Sequence, residues 1–204
     1  MKPLADYGGG SGCGACYVAE PGFPEGFGDA LYTADWGRGW IYRHQMTERG
    51  ATFTASQEPF VQIPRVTDLD VDANSRMYLA SWKGASFKYV GDEVGYVVQL
   101  VPENAPDAQQ YDWKNYTEDE LIGMMASESH RLRLAAQREL LQRGWATSVP
   151  EQLNRLAADR SASLESRIAA VFTLALGLGP EARSPLSDLT EDPQLVPFVL
   201  RALC

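Results

Sequence analysis

The chain has 204 residues, of which 45% are hydrophobic and 22% are charged, a composition typical of a folded globular protein rather than a disordered one. Its formal net charge of −9 excludes a protein that binds nucleic-acid phosphates or anionic lipid through an overall positive charge. The sequence contains no run of about 18 apolar residues, which excludes a continuous apolar membrane-spanning segment.

A glycine-rich segment near the start of the chain contains a C-x-x-C motif, Cys13 and Cys16. With Cys204 these are the only cysteines, too few for a disulfide framework. No histidine follows Cys16, which excludes covalent haem attachment here, and so many glycines are a poor helix start for a redox dithiol. We interpret the pair as small residues in a loop, with a labile disulfide or metal pair as the alternative.

From Ala30 to Pro102 the side chains alternate between polar and apolar with period two, and turn residues recur about every 8 to 12 positions. This pattern predicts β-strands over 30–34, 40–44, 52–54, 59–63, 67–72, 76–82 and 95–100. The third and fourth of these are expected at a sheet edge, because Pro59 and Pro64 cannot donate a ladder hydrogen bond.

Two stretches of this β segment resemble each other. Each has a strand that ends in a small residue, a polar residue and a tryptophan, namely Trp36 or Trp82, and each continues through a glycine turn into an aromatic-rich strand. A repeat of this kind predicts about two blades of a β-propeller within residues 1–102. Two blades do not close a propeller, so we expect the chain to be a piece of a longer protein.

Alternating acidic residues precede the second tryptophan: Asp68, Asp70 and Asp72, followed by Asn74. They resemble the start of a calcium-binding loop, but the glycine and glutamate that an EF-hand needs further along are absent. We therefore interpret them as the polar face of a strand and a turn cap, with calcium binding as the alternative.

Residues 103–116 are interpreted as a linker, and helices are predicted from 117 to 204. Thr117 and Glu120 form a capping box, Ser129 and Ser163 are N-cap candidates, and Ser148 precedes Pro150 at another helix start. A motif of arginine followed by apolar residues recurs every 34 residues, at Arg133, Arg167 and Arg201. Helix pairs with this period predict an α-solenoid of HEAT-like repeats, in which the arginines are structural.

Several short motifs together resemble one known family. They are Gly10-Ser11-Gly12-Cys13-Gly14-Ala15, Glu20-Pro21-Gly22-Phe23-Pro24, Tyr32-Thr33-Ala34-Asp35-Trp36-Gly37-Arg38, the run from Pro64 to Asp72, Ala80-Ser81-Trp82 and Val94-Gly95-Tyr96-Val97-Val98. The chain resembles the membrane-bound-dehydrogenase-like, haem-binding proteins of Planctomycetes and their relatives. That family has a glucose/sorbosone-dehydrogenase-like propeller before HEAT repeats, and often a cytochrome c domain at its end.

The resemblance implies cofactors in the parent protein rather than in this chain. Pyrroloquinoline quinone and calcium would bind the propeller, and haem would bind a downstream domain, in a periplasmic or extracellular protein. Arg65 and Asp68 match an Arg-x-Arg-Asp run of such proteins, but Thr67 replaces the second arginine, and Gly37 stands where a lysine is expected. The blade that carries the catalytic histidine lies outside this chain, so no catalytic residue is assigned.

Four residues are candidates for cofactor binding: Asp35, Trp36, Arg38 and Arg65. They lie at or near predicted strand ends beside glycines, where loops commonly form ligand sites. The alternative is structural: an aspartate that stabilises a turn, a packing tryptophan and two solvated arginines.

Two functions are consistent with these features. The first is the C-terminal propeller and HEAT-repeat portion of a multidomain dehydrogenase-like protein that oxidises a sugar or alcohol, inactive as an isolated piece. The second is a non-catalytic module that binds a carbohydrate or protein and docks a protein partner on its helical segment.

Overall fold

The structure, a computed structural model, describes Asp6 and residues 8–50, 52–84 and 91–204, and it divides into two compact units, Met1–Ala108 and Gln109–Cys204. The described strands all lie in the first unit and the described helices all lie in the second. The change of hydrophobic period from two to 3.6 along the sequence predicted this division.

The β unit consists of two antiparallel sheets. Strands β1 to β4 form one sheet in chain order, and β5 to β7 form the other in chain order. Antiparallel strands can be joined directly by a turn or loop, so sequence neighbours pair with each other in both sheets. The strands are β1 Gly12–Ala19, β2 Asp29–Asp35, β3 Trp40–Arg49, β4 Thr52–Gln62, β5 Val66–Val71, β6 Met77–Ser81 and β7 Tyr96–Leu100.

The edge strand β4 is a single element where the sequence predicted two short ones. It pairs along its length with β3, and the register shifts by one residue between Pro59 and Val61. A proline is tolerated there because β4 lies at the edge of its sheet, as the sequence predicted.

The two sheets share one hydrophobic core and approach each other at β1 and β5. Tyr32, Ile41 and Leu79 are fully buried in this core. At Gly14 the approach is so close that a Cβ atom would lie 2.9 Å from the Cα of Asp68. Only glycine fits at this contact without displacing backbone.

The prediction of a partial β-propeller is wrong. The strands form two small open sheets, of four and three strands, that do not close around a central axis. The recurring tryptophans follow β2 and β6, where each sheet makes a turn at the end of a strand. The similarity therefore marks two local strand-turn-strand segments, which antiparallel sheets of many architectures contain.

The helical unit contains six α-helices around one core. They are α1 Glu118–Met124, α2 His130–Arg143, α3 Val149–Ala158, α4 Leu164–Leu178, α5 Arg183–Asp188 and α6 Val196–Ala202, with short 3₁₀ turns at Trp113–Asn115, Gly179–Ala182 and Leu189–Glu191. The predicted starts are confirmed for α1, where Thr117 and Glu120 form the capping box, and for α2 and α4, where Ser129 and Ser163 accept from backbone N–H groups.

The prediction of a solenoid of HEAT-like helix pairs is also wrong. The helices have unequal lengths of 7, 14, 10, 15, 6 and 7 residues, and 3₁₀ turns interrupt the last third of the unit. Arg133 and Arg167 are buried in the first turns of α2 and α4, but Arg201 is exposed in the last turn of α6. The 34-residue recurrence therefore reflects two buried arginines rather than a regular repeat.

The two buried arginines are structural, as predicted, and each binds carbonyl groups. Arg133 Nη1 donates to the carbonyls of Ser127 and Glu128, at 2.6 and 2.8 Å. Arg167 Nε donates to the Ala157 carbonyl at 2.9 Å, and its Nη2 pairs with an Asp192 carboxylate oxygen at 2.5 Å. Both side chains therefore fasten the start of a long helix to the segment before it.

Candidate functional site

The turn after β2 is organised by Asp35, which is fully buried. Its Oδ1 atom accepts from the backbone N–H of Arg38 at 2.8 Å and from that of Ser11 at 3.1 Å. A Cβ atom added to Gly10 would lie 1.9 Å from Asp35 Oδ2, so the glycine is required for this close approach. Asp35 thus connects the β2–β3 turn to the glycine-rich segment that precedes β1.

Arg38 connects the same two segments from the solvent side. Its Nε donates to the carbonyl of Gly9 at 2.8 Å, and its Nη2 donates to that of Gly8 at 2.7 Å. The guanidinium group therefore holds the glycine-rich segment against the β2–β3 turn through two charge-assisted hydrogen bonds.

Trp36 lies between Arg65 and Trp82. The Arg65 guanidinium carbon is 4.0 Å from the centre of the Trp36 ring, within the range of a cation–π contact. The Trp36 and Trp82 rings meet edge to face, with centres 5.5 Å apart and planes at 86°. Arg65 has a φ of 55°, in the left-handed region that favours glycine.

The structure thus brings all four predicted residues to one end of the β unit. Their polar atoms bond mainly to the neighbouring loops, and one face of Trp36 is occupied by Arg65. This arrangement matches the structural alternative for Asp35, which stabilises the turn. Arg38 is bonded to two carbonyls rather than only solvated, and cofactor binding by the group stays a prediction. Trp82, the fifth member, was noted in the sequence only as part of a repeat.

The two neighbouring cysteines lie on strand β1 rather than in the loop that the sequence predicted, and no disulfide joins them. Cys13 Sγ lies 3.2 Å from the Val66 carbonyl and 3.5 Å from the Ala34 carbonyl, so it points between β2 and β5. Burial raises the pKa of the Cys13 thiol above its usual value, which disfavours the reactive thiolate. Cys13 is the extra residue at a register shift between Gly12 and Gly14, where β1 is irregular against β2.

The alternating aspartates act locally, as the turn-cap interpretation predicted. Asp72 Oδ1 accepts from the backbone N–H groups of Asn74 and Arg76, each at 2.9 Å, and its Oδ2 accepts from the Tyr78 hydroxyl. Asp68 and Asp70 each accept from the next backbone N–H group. Among the described residues, no three His, Cys, Asp or Glu side chains cluster in a way that could hold a metal ion.

A buried histidine in the β unit makes its stability depend on pH. His44 is 1% exposed, and its Nε2 lies 2.8 Å from the Thr33 hydroxyl. Burial lowers the pKa of His44, so between pH 7.5 and 5.5 the unfolded chain binds more protons than the folded one. The stabilising contribution of neutral His44 is complete above the unfolded pKa of about 6.5 and is lost as the pH falls.

We therefore expect the free energy of unfolding to decrease between pH 7.5 and 5.5, and His44→Gln to reduce that decrease. Urea titrations at several pH values measure it. The comparison is His130→Gln, the other histidine of the chain, which lies in the helical unit. The pKa of His130 is lowered too, so its substitution should reduce the pH dependence of the helical unit and leave that of the β unit unchanged. An unchanged pH dependence in His44→Gln would contradict the assignment.

The helical unit carries a groove between α2 and α4, with a volume of about 450 Å³. Its apolar lining comes mainly from half-buried side chains, and Leu176 is 66% exposed. The lining residues are His130, Arg133, Leu134, Gln137, Glu165, Ile168, Ala169, Phe172 and Leu176. We call this feature the α2–α4 groove.

The floor of the α2–α4 groove is fixed by polar contacts between the two helices. The Gln137 amide donates to the Thr173 hydroxyl at 2.9 Å, and that hydroxyl donates to the Ala169 carbonyl at 2.6 Å. These hydrogen bonds join α2 to α4 beside the groove and satisfy the polar groups of both side chains.

Helix α2 contributes His130 and the buried Arg133 to the groove lining, and Arg131 and Arg138 lie elsewhere on the same helix. The pKa of His130 is lowered by burial and then by the charges of Arg133, Arg131 and Arg138. These arginines lie within eight residues of one helix, in a chain whose net charge is −9. The local positive charge therefore contrasts with the overall acidity of the protein.

The α2–α4 groove was not predicted from the sequence, although a signal for it was present. Leu134 and Ile168, one in each copy of the arginine motif, line its two walls. Glu165, Ile168, Phe172 and Leu176 follow the three- and four-residue spacing of one helix face. A stripe of this kind is expected to be buried in the core, and here part of it is exposed.

A scan against protein-family models, a search of curated proteins and a search of solved structures each found no match to the chain. The resemblance to membrane-bound-dehydrogenase-like proteins, with its quinone, calcium and haem, therefore stays a prediction. In the described part of the chain, no helix is both long enough and apolar enough to cross a membrane.

Proposed function

We propose that the chain is a non-catalytic protein-binding module whose helical unit binds an amphipathic helix of a partner protein in the α2–α4 groove. The observation that carries the proposal is the groove itself, which lies between two helices and whose α4 wall is mainly apolar. Grooves of this kind accept helices that present apolar residues three and four positions apart.

The exposed apolar residues of the groove support this proposal. Leu176 is 66% exposed and Phe172 is half-buried on the α4 wall. Burying a leucine side chain contributes about 1.5–3 kcal/mol, so a partner that covers Leu176 gains a large part of its binding free energy there. A charge at this position would have to be buried without a partner, which is costly.

We expect Leu176→Glu to lower the affinity for a synthetic amphipathic helical peptide at least about tenfold. The peptide has leucines on one face and neutral glutamine and serine on the other, and fluorescence anisotropy of a labelled peptide measures its affinity. Thermal unfolding should change little, because the substituted side chain is exposed.

The matched control is Leu200→Glu. Leu200 is 55% exposed on α6 and does not line the groove. Equal weakening by Leu176→Glu and Leu200→Glu would show nonspecific adhesion, and absence of binding to the wild-type chain would overturn the proposed function.

A further inference from the structure

Strand β7 forms one edge of the three-stranded sheet and pairs with β6 on one side. In the described part of the chain, no strand pairs with its other side. Such an edge presents backbone N–H and C=O groups to which a strand of another chain can bind. Exposed apolar side chains lie along it: Val97 is 66% exposed, and Val101, which directly follows the strand, is 46% exposed.

The edge at β7 lacks the features that keep edge strands from pairing with other chains. Proteins commonly protect an edge with a charged side chain, a proline or a bulge. The edge strand β4 of the other sheet has all three, namely Glu58, Pro59 and a register shift. By contrast, β7 and Val101 contain no charged residue and no proline, and the register of β7 against β6 is regular. This edge is therefore suited to pairing.

The side chains of this edge are arranged symmetrically about Gln99. Val98 and Leu100 pack against the core of the β unit. Because side chains alternate along a strand, Val97, Gln99 and Val101 lie on the outer face. Gln99 is the central residue of the run from 97 to 101, and the other side chains of the run are aliphatic. The run therefore has nearly the same pattern when it is read in either direction.

We propose that β7 pairs with β7 of a second copy of this chain, antiparallel and centred on Gln99, so that two copies form a dimer with one continuous sheet. In this register Val97 lies opposite Val101 of the second copy, and Val98 lies opposite its Leu100. Directly opposite side chains are close enough to pack, with Cβ atoms about 4.5–5.5 Å apart. The two-fold symmetry closes the assembly, because each copy covers the exposed β7 edge of the other.

Gln99 fixes the register of the proposed pairing. Its Nε2 donates to the Tyr78 hydroxyl at 2.7 Å, and that hydroxyl donates to Asp72 Oδ2 at 2.9 Å. A carboxamide has two N–H donors and one acceptor oxygen, so Gln99 can keep this bond and also pair with Gln99 of the second copy. A shift of one or two residues would place the amide opposite an aliphatic side chain.

The first experiment is sedimentation equilibrium of the full chain up to millimolar concentration. We expect a reversible equilibrium between monomer and dimer. Its dissociation constant should be micromolar rather than nanomolar, because one pair of strands is a small interface. A chain that stays monomeric throughout, or that forms assemblies larger than a dimer, would overturn the proposal.

Two variants test whether Gln99 lies on the two-fold axis. Gln99→Lys and Gln99→Glu each place two like charges opposite each other, and each should weaken the dimer at least about tenfold. A one-to-one mixture of the two variants places lysine opposite glutamate and should restore dimerisation. Gln99 is exposed, so both variants should fold like the parent, which thermal unfolding checks.

The matched control is Gln45→Lys, which makes the same change of charge at an exposed position on β3 and should leave the dimer intact. A dimer that persists in both Gln99 variants would show that another surface forms it. If the mixture does not recover dimerisation, Gln99 does not lie on the axis and the proposal fails. Peptide binding to the α2–α4 groove is measured separately, so the proposed function stands or falls independently of this result.

Discussion

Replacing Arg167 with alanine is expected to lower the free energy of unfolding of the helical unit by about 3 kcal/mol. The guanidinium group is buried, and it donates to the Ala157 carbonyl and to the Asp192 carboxylate. Alanine would leave the buried carbonyl without its donor and would open a space beside the start of α4. Urea unfolding followed by circular dichroism at 222 nm, where helices dominate, measures the change.

The matched control for Arg167→Ala is Arg155→Ala. Arg155 also pairs with a carboxylate, but its side chain is 73% exposed, and such surface pairs contribute less than about 1 kcal/mol. Lysine at position 167 keeps the charge but loses the fork geometry, and should recover only part of the stability. Equal stabilities of the Arg167→Ala and Arg155→Ala variants would show that the buried arginine is not a structural anchor.

Replacing Asp35 with alanine should lower the free energy of unfolding of the β unit by about 3 kcal/mol, because two backbone N–H groups lose a buried charged acceptor. Asp35→Asn keeps one acceptor oxygen and should recover part of this stability. The unfolding is followed by tryptophan fluorescence, since Trp36 and Trp82 lie beside the turn.

The control for Asp35→Ala is Glu48→Ala, which removes a carboxylate from the exposed end of β3. This change should leave stability within about 0.5 kcal/mol of the parent. If Asp35→Ala is as stable as the parent protein, the carboxylate is not needed for the fold. Asp35 would then again be a candidate for ligand binding.

The local structure was largely predictable from the sequence because its signals are local. The first backbone N–H groups of a helix have no acceptor within that helix. Thr117, Ser129 and Ser163 start helices because their side chains accept hydrogen bonds from these N–H groups. Pro59 indicated an edge strand for an equally local reason. Arg133 and Arg167 were recognised as structural from their common position in a motif.

The higher-order architecture was not predictable, because it depends on contacts between distant residues. In two similar strand-turn-strand segments, the first strand is followed directly by Trp36 or Trp82. Such segments are compatible with propeller blades and with the two open sheets that the chain forms. Likewise, the helix starts do not determine helix lengths, and the shortness of α5 and α6 removes the regularity of a solenoid.

The α2–α4 groove was missed for a different physical reason. A stripe of apolar residues such as Ile168, Phe172 and Leu176 predicts a buried helix face, and the sequence does not say which part of that face its neighbours leave uncovered. The polar contact between Gln137 and Thr173, which connects the two helices, joins residues 36 positions apart.

The most direct test of the proposed docking groove is a methyl NMR titration of the full chain with the amphipathic peptide that has leucines on one face and glutamine and serine on the other. We expect the largest shift changes on the methyl groups of Leu134, Ile168 and Leu176, which line the groove. Val97 and Leu200 are also highly exposed but lie outside the groove, so their signals should stay unchanged. Shift changes concentrated on Val97 or Leu200, with the groove methyl groups unaffected, would contradict docking in the α2–α4 groove.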